Sequence, residues 1–70
     1  MRGYVQVDGK ALREEREKRL LSVRQLAKLV GISPDTVNGL ELGKRNAQPE
    51  TVRKIAGALR IKPDRLIGDD

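Results

Sequence analysis

The chain has no cysteine, histidine, tryptophan or phenylalanine, and Tyr4 is its single aromatic residue. Each absence removes a class of function. Without Cys there is no disulfide, thiol nucleophile or thiolate zinc site. Without His the commonest general base and the commonest metal ligand are missing. One aromatic ring cannot build the stacking platforms on which single-stranded nucleic acids are read. No apolar run approaches the ~20 residues of a membrane span, and no long apolar region follows Arg2 as a secretory signal would require. No nucleophile–base pair, phosphate loop or ligand cluster can be found, so neither an enzyme nor a cofactor or metal is expected. The expectation is a soluble cytoplasmic protein.

What is present is short and basic. Seventy residues carry 15 Lys or Arg against 10 Asp or Glu, a net charge of +5 with a pI of about 10.1. That length allows one domain with a small core. The charge points weakly to a polyanion, because +5 also serves solubility. Residues 22–45 are net +2 and residues 46–68 net +3, so there is no single basic stripe.

The start signals of short helices are unusually complete. Tyr4 to Val7 is β-prone and ends at the turn pair Asp8-Gly9, which predicts a short strand or arm over residues 1–9. A helix is expected from Lys10 to about Leu20, where the charged run 13–19 reads as a solvated face with pairs such as Glu14–Lys18. Ser22 and Gln25 form a capping box, and Val23, Leu26, Ala27 and Val30 mark one buried face before Gly31. Ser33, Pro34 and Asp35 open the next helix, Val37 and Leu40 face inward, and Gly43 stops it. Pro49 opens a helix with Val52, Ile55, Ala56 and Leu59 on one face, and Pro63 opens a short last turn with Ile61 and Leu66 as its staple. Residues 69–70 are expected to fray. One signal dissents: Asn38-Gly39 between apolar residues is a strong hairpin cue. Helix is still expected there, since cap, spacing and stop agree.

Residues 22–43 therefore read as two short helices joined at Gly31, a helix-turn-helix. The second presents Pro34, Asp35, Asn38 and Gly39 at its outer N-terminal face, which in such motifs enters the major groove of DNA. The string LSVRQLAKLVGISPDTVNGLELGKRNAQPETVRKIAGAL resembles the Cro/repressor-type, or xenobiotic-response-element, helix-turn-helix family almost throughout. The resemblance covers Leu12 to Ile67. It implies an all-α, five-helix, lambda-repressor-like bundle over residues 10–68, with 33–42 as the recognition helix of a DNA-binding transcriptional regulator. It further implies a repressor that binds a pseudo-palindromic operator as a homodimer.

The resemblance also assigns residues. Pro34, Asp35, Thr36, Asn38 and Gly39 fall at base-facing positions. Val23, through its backbone N–H, and Ser33, Lys44 and Arg45 fall at phosphate-contacting ones, and Arg24 on the outer face of the first motif helix joins them. Arg16 and Glu41 match an ion pair that fastens the recognition helix, and for the dimer interface the resemblance favours Ile61, Leu66 and Ile67 over the competing segment 4–7. Glu15 departs from the pattern where an apolar residue is usual, Gly39 where a long side chain, commonly Arg, is frequent, and Arg60 where glycine often ends a helix. Asn38 suits bidentate bonding to adenine. Asp35 suits cytosine, but the helix dipole explains an acid there equally well. Lys28 reads as plain solvated charge. The rival reading is an antitoxin or a protein-binding adaptor on the same fold, with a protein partner in place of, or beside, DNA.

Overall fold

The computed structural model describes residues 3–67, which form four α-helices and a closing 3-10 turn. α1 spans Gly9–Lys18, α2 Val23–Val30, α3 Pro34–Glu41 and α4 Pro49–Leu59, and the 3-10 turn spans Pro63–Leu66. The expected five-helix count is thus corrected to four. Beyond Pro63 the chain makes only one tight turn, because Leu66 is drawn fully into the core and Ile67 leaves in extended conformation to bridge Val7. A residue committed to that bridge cannot continue a helix. The expected frayed tail, 69–70, lies outside the described residues.

Local chemistry accounts for the helix ends. Ser22 and Gln25 cap each other's backbone N–H groups at 3.0 and 2.8 Å, the reciprocal bonding of a capping box. Ser33 accepts from the Thr36 N–H at 3.1 Å. Gly31 takes φ of +83° after α2 and Gly43 takes +75° after α3, a region that glycine enters without steric penalty. Arg60 adopts the same left-handed conformation after α4 at φ +59°, with a Cβ that makes it less comfortable there. The Asp8-Gly9 pair is not a free turn. Asp8 is the N-cap of α1, accepting from the Ala11 N–H at 3.1 Å, and Gly9 is already helical. The Asn38-Gly39 hairpin cue is overridden, since both residues lie inside α3.

The core gathers the inward positions of every helix: Leu12 of α1, Leu26, Ala27 and Val30 of α2, Val37 and Leu40 of α3, and Val52, Ile55, Ala56 and Leu59 of α4. Val7, Ala47 and Leu66 complete it from outside the α-helices. α2 packs on both α3 and α4, while α1 packs on α3 and on the 3-10 turn. The segment before α1 is neither a strand in a sheet nor a loose arm. Val5 bridges Ala47, with N–H to carbonyl distances of 2.6 and 3.0 Å, and Asp8 N–H donates to the Leu66 carbonyl at 2.7 Å. It straps the loop after α3 to the C-terminal turn.

Two further expectations fail on burial. The run 13–19 is not uniformly solvated, because Glu15 is only 3% exposed. Its carboxylate receives Arg65 at 2.6 Å, Arg19 at 2.9 Å and Lys18 at 3.5 Å, so Lys18 pairs with Glu15 rather than with Glu14. Leu66 is corrected as a dimer-interface residue: it is wholly buried within the monomer. Of that patch Ile61 is half-buried against the core and Ile67 is 40% exposed.

Candidate nucleic-acid interface

α3 is held at its C-terminal end, and Pro34, Asp35 and Asn38 on its outer side are exposed. Glu41, in its last turn, takes a two-pronged bond from Arg16 of α1, Nε to Oε2 at 2.6 Å and Nη2 to Oε1 at 2.9 Å. Arg16 also donates to the Leu21 carbonyl at 2.8 Å. The hydrogen bond to Glu41, with the charges of Glu41 and Glu17 behind it, raises the Arg16 pKa against the opposing effect of burial. The ion pair expected from the sequence is therefore present, and it joins residues 25 positions apart.

A second clamp was not foreseen. The start of α1 abuts the end of α3 so closely that a Cβ on Gly9 would run into the Glu41 carbonyl and stand 2.6 Å from that of Leu40. Only glycine fits there. The sequence offered Gly9 as a turn residue, and no local pattern could reveal that another helix end would press on it. Glu15, the neighbour of Arg16 on α1, faces the 3-10 turn instead. Burial works to raise its pKa, but hydrogen bonds and charges from Arg19, Lys18 and Arg65 outweigh it and hold the carboxyl below its ordinary value.

With Val37 and Leu40 inward and Glu41 on Arg16, α3 turns Pro34, Asp35 and Asn38 to the outside, all exposed, with Thr36 and Gly39 partly covered. These are the five expected base-facing positions, and they share one surface. The expected backbone-contacting groups fall at the entry of α3, at the start of α2 and in the loop after α3. Ser33 and Thr36 share a hydroxyl–hydroxyl hydrogen bond of 2.9 Å at the entry of α3. Val23 packs its side chain against the core, leaving its N–H at the start of α2, and Arg24 beside it is exposed. Lys44 is exposed and begins the loop after α3, its N–H bonded to the Gly39 carbonyl at 2.9 Å. With the Gly43 N–H on the Leu40 carbonyl at 3.3 Å, this closes a Schellman motif.

Arg45 does something the sequence did not indicate. Its side chain folds back over α3, donating from Nη1 to the Thr36 hydroxyl at 3.2 Å. It lies across Gly39, where a Cβ would stand 2.9 Å from its Cγ and Cδ. Gly39, expected as a site of close approach to DNA, is occupied here by Arg45. Among the described residues there is no group of His, Cys, Asp and Glu fit to hold a metal, and no helix long and apolar enough to cross a membrane.

Comparison with known proteins agrees with this architecture. Two Bacillus subtilis proteins, the uncharacterized HTH-type transcriptional regulator RghRB and the HTH-type transcriptional repressor RghR, are each 42% identical over 60 residues. The match covers 84% of this chain but 43% and 44% of theirs, so the chain spans less than half the length of these relatives. Among solved structures, the restriction-modification controller protein C.AhdI of Aeromonas hydrophila superposes with a TM-score of 0.79 at 40% identity. That superposition covers 81% of this chain and 86% of C.AhdI. The helix-turn-helix family HTH_3 matches residues 12–66, taking in α2, α3 and the Arg16–Glu41 pair. The chain belongs to the HTH_3 family of Cro/C1-type helix-turn-helix proteins.

Proposed function

We propose that this chain binds double-stranded DNA sequence-specifically as a transcriptional regulator, with α3 in the major groove. One observation carries the reading: α3 is locked to α1 at its C-terminal end while Pro34, Asp35 and Asn38 stand exposed toward its N-terminal end, with the Arg45 guanidinium tied to Thr36 beside them and Lys44 exposed in the loop that follows. A helix presented in this way is what a groove reader requires. Asn38 reads a base, bidentate to adenine by preference, and Asp35 accepts from a neighbouring cytosine. Pro34, Thr36 and Gly39 shape the fit. The N–H of Val23 and the side chains of Ser33, Arg24 and Lys44 hold phosphates. With few hydrogen-bonding groups on the reading face, DNA shape supplies part of the specificity.

The repressor reading rests on the relative RghR. Action in the cytoplasm, residues 10–68 as the binding domain, and a homodimer on a pseudo-palindrome are parts of the same proposal. Of the expected patch, Ile67, exposed at the end of the 3-10 turn, and the half-covered Ile61 remain to join two copies. Half-sites would then lie ~34–36 Å apart.

Selection from random-sequence duplexes, followed by titration at two salt concentrations, tests the reading. An enriched palindrome is expected. Asn38→Ala should relax preference at one base pair per half-site. Lys44→Ala should weaken all sequences alike and lower the salt slope by about 1. Enrichment of no sequence would overturn specific regulation, and equal losses on operator and random DNA would remove Asn38 as a reader.

A further inference from the structure

We propose that Arg45, although it lies in the loop beyond the recognition helix, is a base-reading residue, that Gly39 is its seat, and that Thr36 positions it. The inference deepens the DNA-binding reading above and rests on it. The starting point is a deficit: α3, with the sequence PDTVNGLE, contains no Lys or Arg. Its reading face holds one amide, one carboxylate and one hydroxyl, and no cationic donor. Guanine shows two acceptors, N7 and O6, in the major groove, and the best fit to them is the forked guanidinium of arginine.

Arg45 supplies that fork from outside the helix. Its aliphatic stem crosses Gly39 at a separation that no side chain would allow, so the glycine in mid-helix is explained by the arginine above it. Its Nη1 is tied to Thr36 Oγ1 at 3.2 Å, and Thr36 Oγ1 is itself held 2.9 Å from Ser33 Oγ. Nε and Nη2 have no acceptor among the described residues, which leaves two donors of the fork available. The backbone that carries Arg45 is also fixed on both sides. The Schellman motif at Gly43 and Lys44 sets its start, and the Val5–Ala47 bridge sets its end two residues later. Little side-chain or loop freedom is left to lose on binding, which favours directional contact over loose attraction to phosphate. Lys44, by contrast, is exposed with no such side-chain tether.

The proposal separates from a phosphate role by the conservative substitution. Arg45→Lys keeps the charge and loses the fork. Selection from random-sequence duplexes, run in parallel on the unaltered protein, Arg45→Lys and Gly39→Ala, reads the outcome base pair by base pair. The unaltered protein should enrich a motif with a G·C pair in each half-site. In Arg45→Lys, discrimination at that pair should fall on the order of 10-fold while the remaining motif persists. Gly39→Ala should give the same loss with Arg45 intact, because its Cβ displaces the stem, and a thermal melt shows that it still folds. An unchanged motif in Arg45→Lys, or equal weakening on every sequence, overturns the assignment and leaves Arg45 a phosphate contact. If the unaltered protein enriches nothing, the DNA-reading proposal falls with it, and the two failures are told apart by that control.

Discussion

The two ends of α3 are treated differently by the rest of the chain. At the C-terminal end every group has a tertiary partner: Leu40 is in the core, Glu41 is forked by Arg16, and the carbonyls of both lie against Gly9. At the N-terminal end the helix is started by its own residues, with Ser33 capping Thr36 and Pro34 starting the turn, and the exposed bond from Arg45 to Thr36 comes from the loop beyond. Tertiary packing is therefore concentrated where DNA is not expected, and on the proposed contact surface Arg45 is the side chain that reaches α3 from outside the helix. The side chains at 34, 35 and 38 can change without touching the core, while 40 and 41 cannot. A scaffold of this kind lets specificity vary at constant stability.

The sharpest way to break that contrast is Glu41→Ala. Arg16 and Glu41 side chains are only 11% and 6% exposed, and removing one leaves the other charge buried without its partner. A loss of about 3 kcal/mol in unfolding free energy by urea titration is expected, at the lower end for such pairs. The double change Arg16→Met with Glu41→Leu should recover most of it, since a well-packed apolar pair often replaces a buried ion pair without loss. Full stability of the single variant would show that the C-terminal end is not clamped electrostatically.

The same small substitution at two glycines should act in opposite directions. Gly9→Ala drives a methyl into backbone carbonyls that cannot move independently of α3, and should destabilise by roughly 1–3 kcal/mol. Gly39→Ala meets only the flexible stem of Arg45, so the gain in helix propensity should dominate, raising stability by about 0.5–1 kcal/mol. Thermal melts of the two variants compare the ends of α3 directly, and a matching sign would contradict the contrast.

The smallest effect concerns what anchors α1 itself. Glu15 has a folded-state pKa below its ordinary value, so its stabilisation is complete above about pH 4.5 and is lost as pH falls through the depressed value. Its partner Arg65 is largely exposed, which keeps the contribution modest. Glu15→Gln should flatten the acid limb of the stability curve, measured as the urea midpoint between pH 6 and pH 3. An unaltered limb would mean that other carboxylates carry it.

Much of the molecule was legible because it is encoded by neighbours in sequence. Ser22 with Gln25, Ser33 with Pro34, and the glycines at 31 and 43 define α2 and α3 through bonds spanning a few residues. The apolar spacing of Leu26 to Val30 and Val52 to Leu59 names the buried faces. The bridge from Ile67 to Val7, the buried carboxylate at 15 and the complete burial of Leu66 were not legible. Each depends on a partner far along the chain: Val7 for Ile67, Arg65 for Glu15, and α1 against the 3-10 turn for Leu66. Arg16–Glu41 is equally remote and was foreseen only through resemblance to the family.

By itself, then, the sequence determined the helices, their caps and the outward set Pro34, Asp35 and Asn38, because helix ends and amphipathic faces are set by local hydrogen bonding and a 3.6-residue period. Tertiary structure decided which glycines are obligatory, which charges are buried and where Arg45 points. Gly9 and Gly39 look alike in the sequence, yet one accommodates a helix end and the other an arginine. That difference comes from chain segments brought together by packing, a relation that no local spacing contains.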